Sequence, residues 1–240
     1  MLKRQTLINE TAAYRKDARR HFDKAVAALV ALAWPYRKEG FTFGPDFALY
    51  DDALDICINL SDQCAESARK RLLRAIEGLE WDGEWEEDYD IDTQKRMDMA
   101  GTHLLALASI WVSVAAVNGW TESYTLVMVS RYIHNPFLCP AWKNIPLDTL
   151  SWGRGYAKDI AEQLALIGQG IIISAALRID QQLEQRNGAS YYIRRRGSNF
   201  DCDTCDELAN KPIPIDVPFY FPHPRCVCFP EYHYEPIPNE

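Results

Sequence analysis

Cys202-Asp-Thr-Cys205, followed across seventeen residues by His223-Pro-Arg-Cys226-Val-Cys228, is the stretch on which the reading of this 240-residue chain turns. Zinc takes four ligands at tetrahedral corners, through thiolate sulfur and imidazole nitrogen. Two short donor pairs joined by a loop suit that geometry, because each turn presents two side chains to one point. Five donors, Cys202, Cys205, His223, Cys226 and Cys228, stand for four places. The favoured set is Cys202, Cys205, His223 and Cys226, with Cys228 as the rival for the fourth place. Spacing alone leaves that choice open.

The surrounding segment, 189–240, needs such a constraint. Ser190-Tyr-Tyr-Ile-Arg-Arg-Arg196 can form a short strand, but prolines follow at 212, 214, 218, 222, 224, 230, 236 and 238. Proline lacks a backbone donor, so this stretch cannot hold a long helix or a central strand. Prolines on both sides of His223 reduce the entropy lost when the ligands converge. A structural zinc contributes roughly 10 to 16 kcal/mol in small peptide modules, ample for a tail whose own core is slight.

Other uses of these side chains fit less well. A redox C-x-x-C pair belongs in a strand–helix setting within a βαβ pattern, which the sequence does not suggest. A disulfide scaffold is disfavoured by the odd cysteine count of seven and by a polar N-terminus without a secretory apolar stretch. A catalytic zinc would be accompanied by an H-E-x-x-H or H-x-E element, and the sequence has neither.

The string Arg196-Gly-Ser-Asn-Phe-Asp201-Cys-Asp-Thr-Cys205, then Pro212-Ile-Pro-Ile-Asp216, then Phe221-Pro-His-Pro-Arg-Cys-Val-Cys228 resembles the C-terminal motif of the Mu F-type head morphogenesis proteins, minor head proteins of tailed bacteriophages. Asp201, Cys202, Cys205, Asp216, His223, Pro224, Cys226 and Cys228 match that family's pattern. The resemblance covers about Ile193 to Pro230. Ala209-Asn210-Lys211 stands where the family usually has Asp-Gly, and Arg225 and Val227 replace the usual Asn and Arg. The resemblance implies a non-enzymatic virion component, present in the head and in host cytoplasm during assembly. Its implied partners are the portal or major capsid protein, with packaged DNA as a further one. No catalytic residues come with the motif. Toxin or ADP-ribosyltransferase domains follow it in some relatives, and none is expected here.

Outward from the motif, residues 1–188 read as a multi-helix body, so the expected fold is mainly α, closed by the small zinc-stabilised module 189–240 with short β-strands. Helices are expected from about Thr11 to Trp34, Phe47 to Leu79, Thr93 to Val117, Thr121 to Ile133 and Lys158 to Gln185. Pro35, Asn118-Gly119 and Asn187-Gly188 mark stops. Ala53, Cys57, Leu60, Cys64, Ala68, Leu72, Ile76 and Leu79 recur every three or four residues, which lines one helical face and makes both cysteines core residues rather than ligands. Gly168 and Gly170 lie inside the last helix, where each costs on the order of 1 kcal/mol against alanine. A close neighbour or a bend is the expected reason. The apolar middle of Thr102–Trp120 is too short for the roughly 18 to 20 residues of a bilayer span and reads as a buried helix.

Charge narrows the function classes. A formal net charge of −8 does not suit a general nucleic-acid binder, and the tail from Asn187 has five basic residues against eight acidic ones. Arg194, Arg195 and Arg196 form the one basic run near the motif and read as solvated strand or linker residues. The acidic stretch 80–92, with Trp81, Trp85 and Tyr89 interleaved, lacks EF-hand spacing and reads as a linker or contact surface. Two alternatives to a structural assembly protein remain. One is a toxin or nuclease-type enzyme, for which Gly153-Arg-Gly155 and Gly168-Gln-Gly170 are incomplete phosphate loops and His21, His103 and His134 are scattered singly. The other is a zinc-ribbon nucleic-acid adaptor.

Overall fold

The computed structural model describes residues 2–39, 47–81, 104–105, 108, 111–133, 160–197, 203–219 and 228–238. The protein is mainly helical, with a small three-stranded antiparallel sheet near the C-terminus. In chain order the elements are α1 (Arg4–Ala33), a 3-10 turn (Trp34–Glu39), α2 (Tyr50–Ala75), α3 (Glu122–Ile133), α4 (Ile160–Arg186), β1 (Tyr191–Arg195), α5 (Asp203–Leu208), β2 (Pro212–Pro214) and β3 (Phe229–His233). Residues 104, 105, 108 and 111–118 are also helical. No helix among the described residues is long and apolar enough to cross a membrane.

α1 begins seven residues before the expected start, because Leu7 and Thr11 continue the buried stripe of Tyr14, Ala18, Phe22, Val26, Leu29 and Ala33. The Thr11 hydroxyl turns back onto the Leu7 carbonyl (2.9 Å), so burial leaves it satisfied. Pro35 ends the α-helical ladder as expected and sits inside the tighter 3-10 turn. On α2, Ala53, Cys57, Leu60, Cys64, Ala68 and Leu72 are all buried, as is Ile76 just past its end, while Leu79, the last of the expected stripe, is only half-buried.

The Asn-Gly stops are real. Gly119 and Gly188 take φ values of 65° and 94°, a region glycine enters without steric cost. At each, paired bonds close the helix: Trp120 N to Ala115 O with Gly119 N to Ala116 O, and Ala189 N to Glu184 O with Gly188 N to Gln185 O. This six-to-one and five-to-two pattern is the Schellman motif. Thr121 then caps α3, its hydroxyl accepting from Tyr124 N at 3.2 Å.

Two compact units partition the chain. One comprises Tyr14–Ala68 and Glu86–Gly168; the other comprises Met1–Ala13, Arg69–Trp85 and Gln169–Glu240. The boundary expected between residues 188 and 189 falls inside the second unit, where Leu177 of α4 joins the apolar cluster of the tail.

In the first unit, Gly168 faces the ring of the fully buried Tyr14, and a Cβ there would collide with it. A side chain on another helix, not a bend, is what demands this glycine. Gly168→Ala should cost about 3 kcal/mol by overpacking, despite alanine's better helix propensity. Tyr14→Leu should make the same substitution better tolerated, a coupling that urea denaturation of the single and double variants measures. Gly168 and Gly170 also lie in regular helix, which disposes of the pair as a phosphate loop.

Cys57 and Cys64 are 3% and 0% exposed. Burial pushes both thiols up from 9.0 to about 12. The folded chain therefore holds these protons more tightly than the unfolded chain. Their contribution to stability is complete below pH 9 and declines as pH rises from about 9 to 12. Neither thiol should react with iodoacetamide at pH 8 until denaturant unfolds the chain, and Cys57→Ala should leave metal content unchanged.

Candidate metal centre

The second unit is built on the sheet, with strand order β2-β1-β3. β1, the central strand, contains no proline, whereas Pro212, Pro214 and Pro230 all fall on the two edge strands. That placement follows from proline's missing donor. β1 pairs antiparallel with both neighbours, Tyr192 opposite Ile213 on one side and opposite Tyr232 on the other. The β1–β3 ladder ends with Arg195 opposite Phe229; Cys228 directly precedes β3.

Residues directly opposite in an antiparallel pair share a face, and alternate residues return to it. Tyr192 and Arg194 therefore share a face with Tyr232 and Pro230. This is the face that packs inward. Tyr192, Cys205, Ile215, Phe219 and Cys228 form one apolar cluster with Leu177 and Ala189. Cys205 and Cys228 are 3% and 5% exposed and neither is in a disulfide. Thus residues twenty-three positions apart in sequence, one from each half of the Cys/His motif, meet in one buried cluster. Cys202, His223 and Cys226 lie outside the described residues, as do Asp201 and Pro224 of the motif. Asp216 is exposed.

Cys205 is on α5, a six-residue helix that a sequence reading could not see, since it is too short for a hydrophobic period. Asn210 follows with φ 61°, its amide donating to Arg194 O at 3.1 Å. Asparagine enters the left-handed region more readily than other side chains. It can therefore serve in this connector, where the resembled family usually has Asp-Gly.

The arginine run is solvated only in part: Arg195 and Arg196 stay partly exposed, but Arg194 does not. Arg194 is fully buried with its guanidinium over the Phe219 ring, 4.3 Å from the centroid. Arg195 pairs with Glu231 and donates to Asn210 Oδ1 (2.8 Å). Arg196 pairs with Asp206 of α5. Its pKa is raised, first by the hydrogen bond to Asp206, and the charges of Cys205 and Cys228 act on it in the same direction. The strand's alternation was the signal that separates these three residues, hidden by their identical charge.

A second fixture holds the connector. Gln181, buried on α4, donates from Nε2 to Ile215 O (2.6 Å) and Val217 O (2.8 Å), and accepts at Oε1 from Phe219 N (2.9 Å). One amide therefore satisfies three backbone groups of a loop that the sheet does not pair. Beyond Cys228 a cavity of about 580 Å³ opens among α1, α4 and β3, lined by Leu2, Leu7, Leu177, Phe229 and Tyr232. Asp180 lies in its wall, accepts from Leu2 N at 2.6 Å, and has its carboxyl pKa raised by burial.

The remaining expected residues fall as follows. His21 is half-buried and bonded to Ser67 Oγ at 2.9 Å, with burial lowering its pKa. His103, His134, Gly153, Gly155, the loop 134–152 and positions 82–92 of the acidic stretch lie outside the described residues. No group of three or more metal-ligating side chains occurs among the described residues. No family model matches the chain, and no curated protein or solved structure matches it.

The donors fit zinc by their chemistry. Of the five donors named from sequence, Cys205 and Cys228 are described, and both are buried thiols in one apolar cluster, a donor type that zinc accepts. A short helix and a strand end hold them.

Proposed function

We propose that this chain is a structural minor head protein of a tailed bacteriophage, whose C-terminal segment folds around one structural zinc ion. It acts by binding, not catalysis: the helices contact portal or capsid protein, and the zinc-clamped segment gives the tail its shape. The motif Cys202-x-x-Cys205 to His223-Pro-x-Cys226-x-Cys228, with its resemblance to the Mu F-type pattern, carries the phage assignment. The meeting of Cys205 and Cys228 in one buried cluster supports the metal clamp.

The nucleic-acid adaptor reading is weakened by the arginine run. Its three guanidiniums are taken up by Phe219, Glu231 with Asn210, and Asp206, and so are not presented as a phosphate-binding stripe. Mass spectrometry of purified heads and procapsids from the phage that encodes this chain tests the proposal. The chain is expected in procapsids at a few copies per particle. Its consistent absence from both particles would reject the assignment.

A further inference from the structure

We propose that the cavity among α1, α4 and β3 binds a small amphipathic primary amine, its apolar body along the walls and its ammonium group on Asp180. The inference is independent of the metal reading, because it uses none of the motif's donors.

Size and lining define the site. The cavity holds about 580 Å³, within the range of roughly 300 to 1,000 Å³ usual for small-molecule sites. Leu2, Leu7, Ile173, Leu177 and Phe229 give it an apolar surface. Every lining residue belongs to the compact unit that contains Met1–Ala13 and Gln169–Glu240, so one folded body forms the whole site.

The polar groups left available select the ligand. The Thr11 hydroxyl is spent on the Leu7 and Ile8 carbonyls, at 2.9 Å each, and the Tyr234 hydroxyl donates to Glu184. Arg4 and Glu231 are exposed and opposite in sign, and both are engaged: Arg4 lies over the Phe229 ring, and Glu231 pairs with Arg195. What remains is Asp180, 4% exposed, whose Oδ1 accepts from Leu2 N at 2.6 Å. The charge of the amino terminus also reaches Asp180, but no Lys, Arg or His side chain pairs with it among the described residues. Beside this carboxylate the Tyr232 hydroxyl is buried without a hydrogen bond of normal geometry.

A carboxylate in an apolar wall is costly unless a cation or donors offset it. A primary ammonium carries three donors and no acceptor. It can therefore bond the Asp180 carboxylate and the Tyr232 oxygen together while its carbon chain lies against leucine and isoleucine. An anionic ligand would set like charge against Asp180. A neutral alcohol would bury the same chain but make only the weaker, uncharged hydrogen bond.

Calorimetric titration of the full chain with octylamine, octanol and octanoate near neutral pH tests the proposal. Octylamine should bind about 10-fold more tightly than octanol, the ratio that a charge-assisted hydrogen bond adds. Octanoate should show no binding. Asp180→Asn should bring octylamine down to the octanol level and leave octanol unchanged. Tyr232→Phe removes a hydroxyl that the fold leaves unbonded, so it should keep the wild-type melting temperature yet weaken octylamine several-fold. That variant keeps the test decisive if Asp180→Asn fails to fold. Ile173→Trp should fill the cavity and exclude both neutral and cationic probes. Equal affinity for octylamine and octanol, binding of octanoate, octylamine affinity unchanged by Asp180→Asn or Tyr232→Phe, or no octylamine binding at all would each overturn the inference.

Discussion

Incubation with a strong zinc chelator should release one zinc ion per chain and open residues 189–240 to protease, while most of the helical far-UV signal persists. The magnitude follows from what the metal supplies. Structural zinc contributes roughly 10 to 16 kcal/mol in small modules, more than an entire domain's usual margin of about 5 to 15 kcal/mol. Against that, the tail's own elements are slight: strands of five, three and five residues and a six-residue helix. Cys202→Ser and His223→Ala should reproduce the effect without chelator. The helices of the unit comprising Tyr14–Ala68 and Glu86–Gly168 contain none of the motif's donors and should stay folded. Limited proteolysis with mass mapping reads the result directly. A tail that stays resistant after the metal is removed would contradict the clamp.

Gln181→Leu should destabilise the same unit by about 4 kcal/mol even with metal bound. Leucine fills similar space but strands the Ile215 and Val217 carbonyls and the Phe219 amide. Each unpaired buried group costs about 1 to 3 kcal/mol, and the exposure of Val217 lets water relieve part of the total. Hydrogen exchange should show the largest loss of protection at Phe219, whose amide bonds to this side chain. Gln181→Glu should not rescue it near neutral pH, because a carboxylate would face two carbonyl oxygens. Burial would raise that carboxyl's pKa above its unfolded value, so the variant should lose stability as pH rises through and above the unfolded pKa. Urea denaturation at pH 5 and pH 8 tests the sign.

These two predictions separate what can be read from sequence from what cannot. The helical stripe through Cys57 and Cys64 is legible because a 3.6-residue period survives any tertiary arrangement. The Asn-Gly stops at Gly119 and Gly188 are legible because few residues enter the left-handed region. Proline fixes the edges of the sheet for an equally local reason. Gln181 is different. It looks like one polar residue among several on a helix, and its partners lie thirty-four to thirty-eight positions away. Gly168 announces that something is near without saying what; Tyr14, on another helix, supplies the answer.

The candidate site divides in the same way. Donor types and spacing name five possible ligands but cannot rank Cys226 against Cys228, because both lie on the same short run. The fold buries Cys228 in the same cluster as Cys205, a placement that emerges only when β1 and β3 pair. The arginine run misleads for a related reason. Three like charges in succession suggest a solvated segment, yet strand alternation turns Arg194 into the core and leaves Arg195 partly exposed on the other face. Asp206, brought near by α5, gives Arg196 its partner.

Elemental analysis of freshly purified, non-chelated protein, set against its measured chain concentration, tests the clamp most directly. One zinc per chain, retained through gel filtration and lost together with the tail's protease resistance, is the predicted result. Protein that is folded through residue 238 yet carries no transition metal would contradict it.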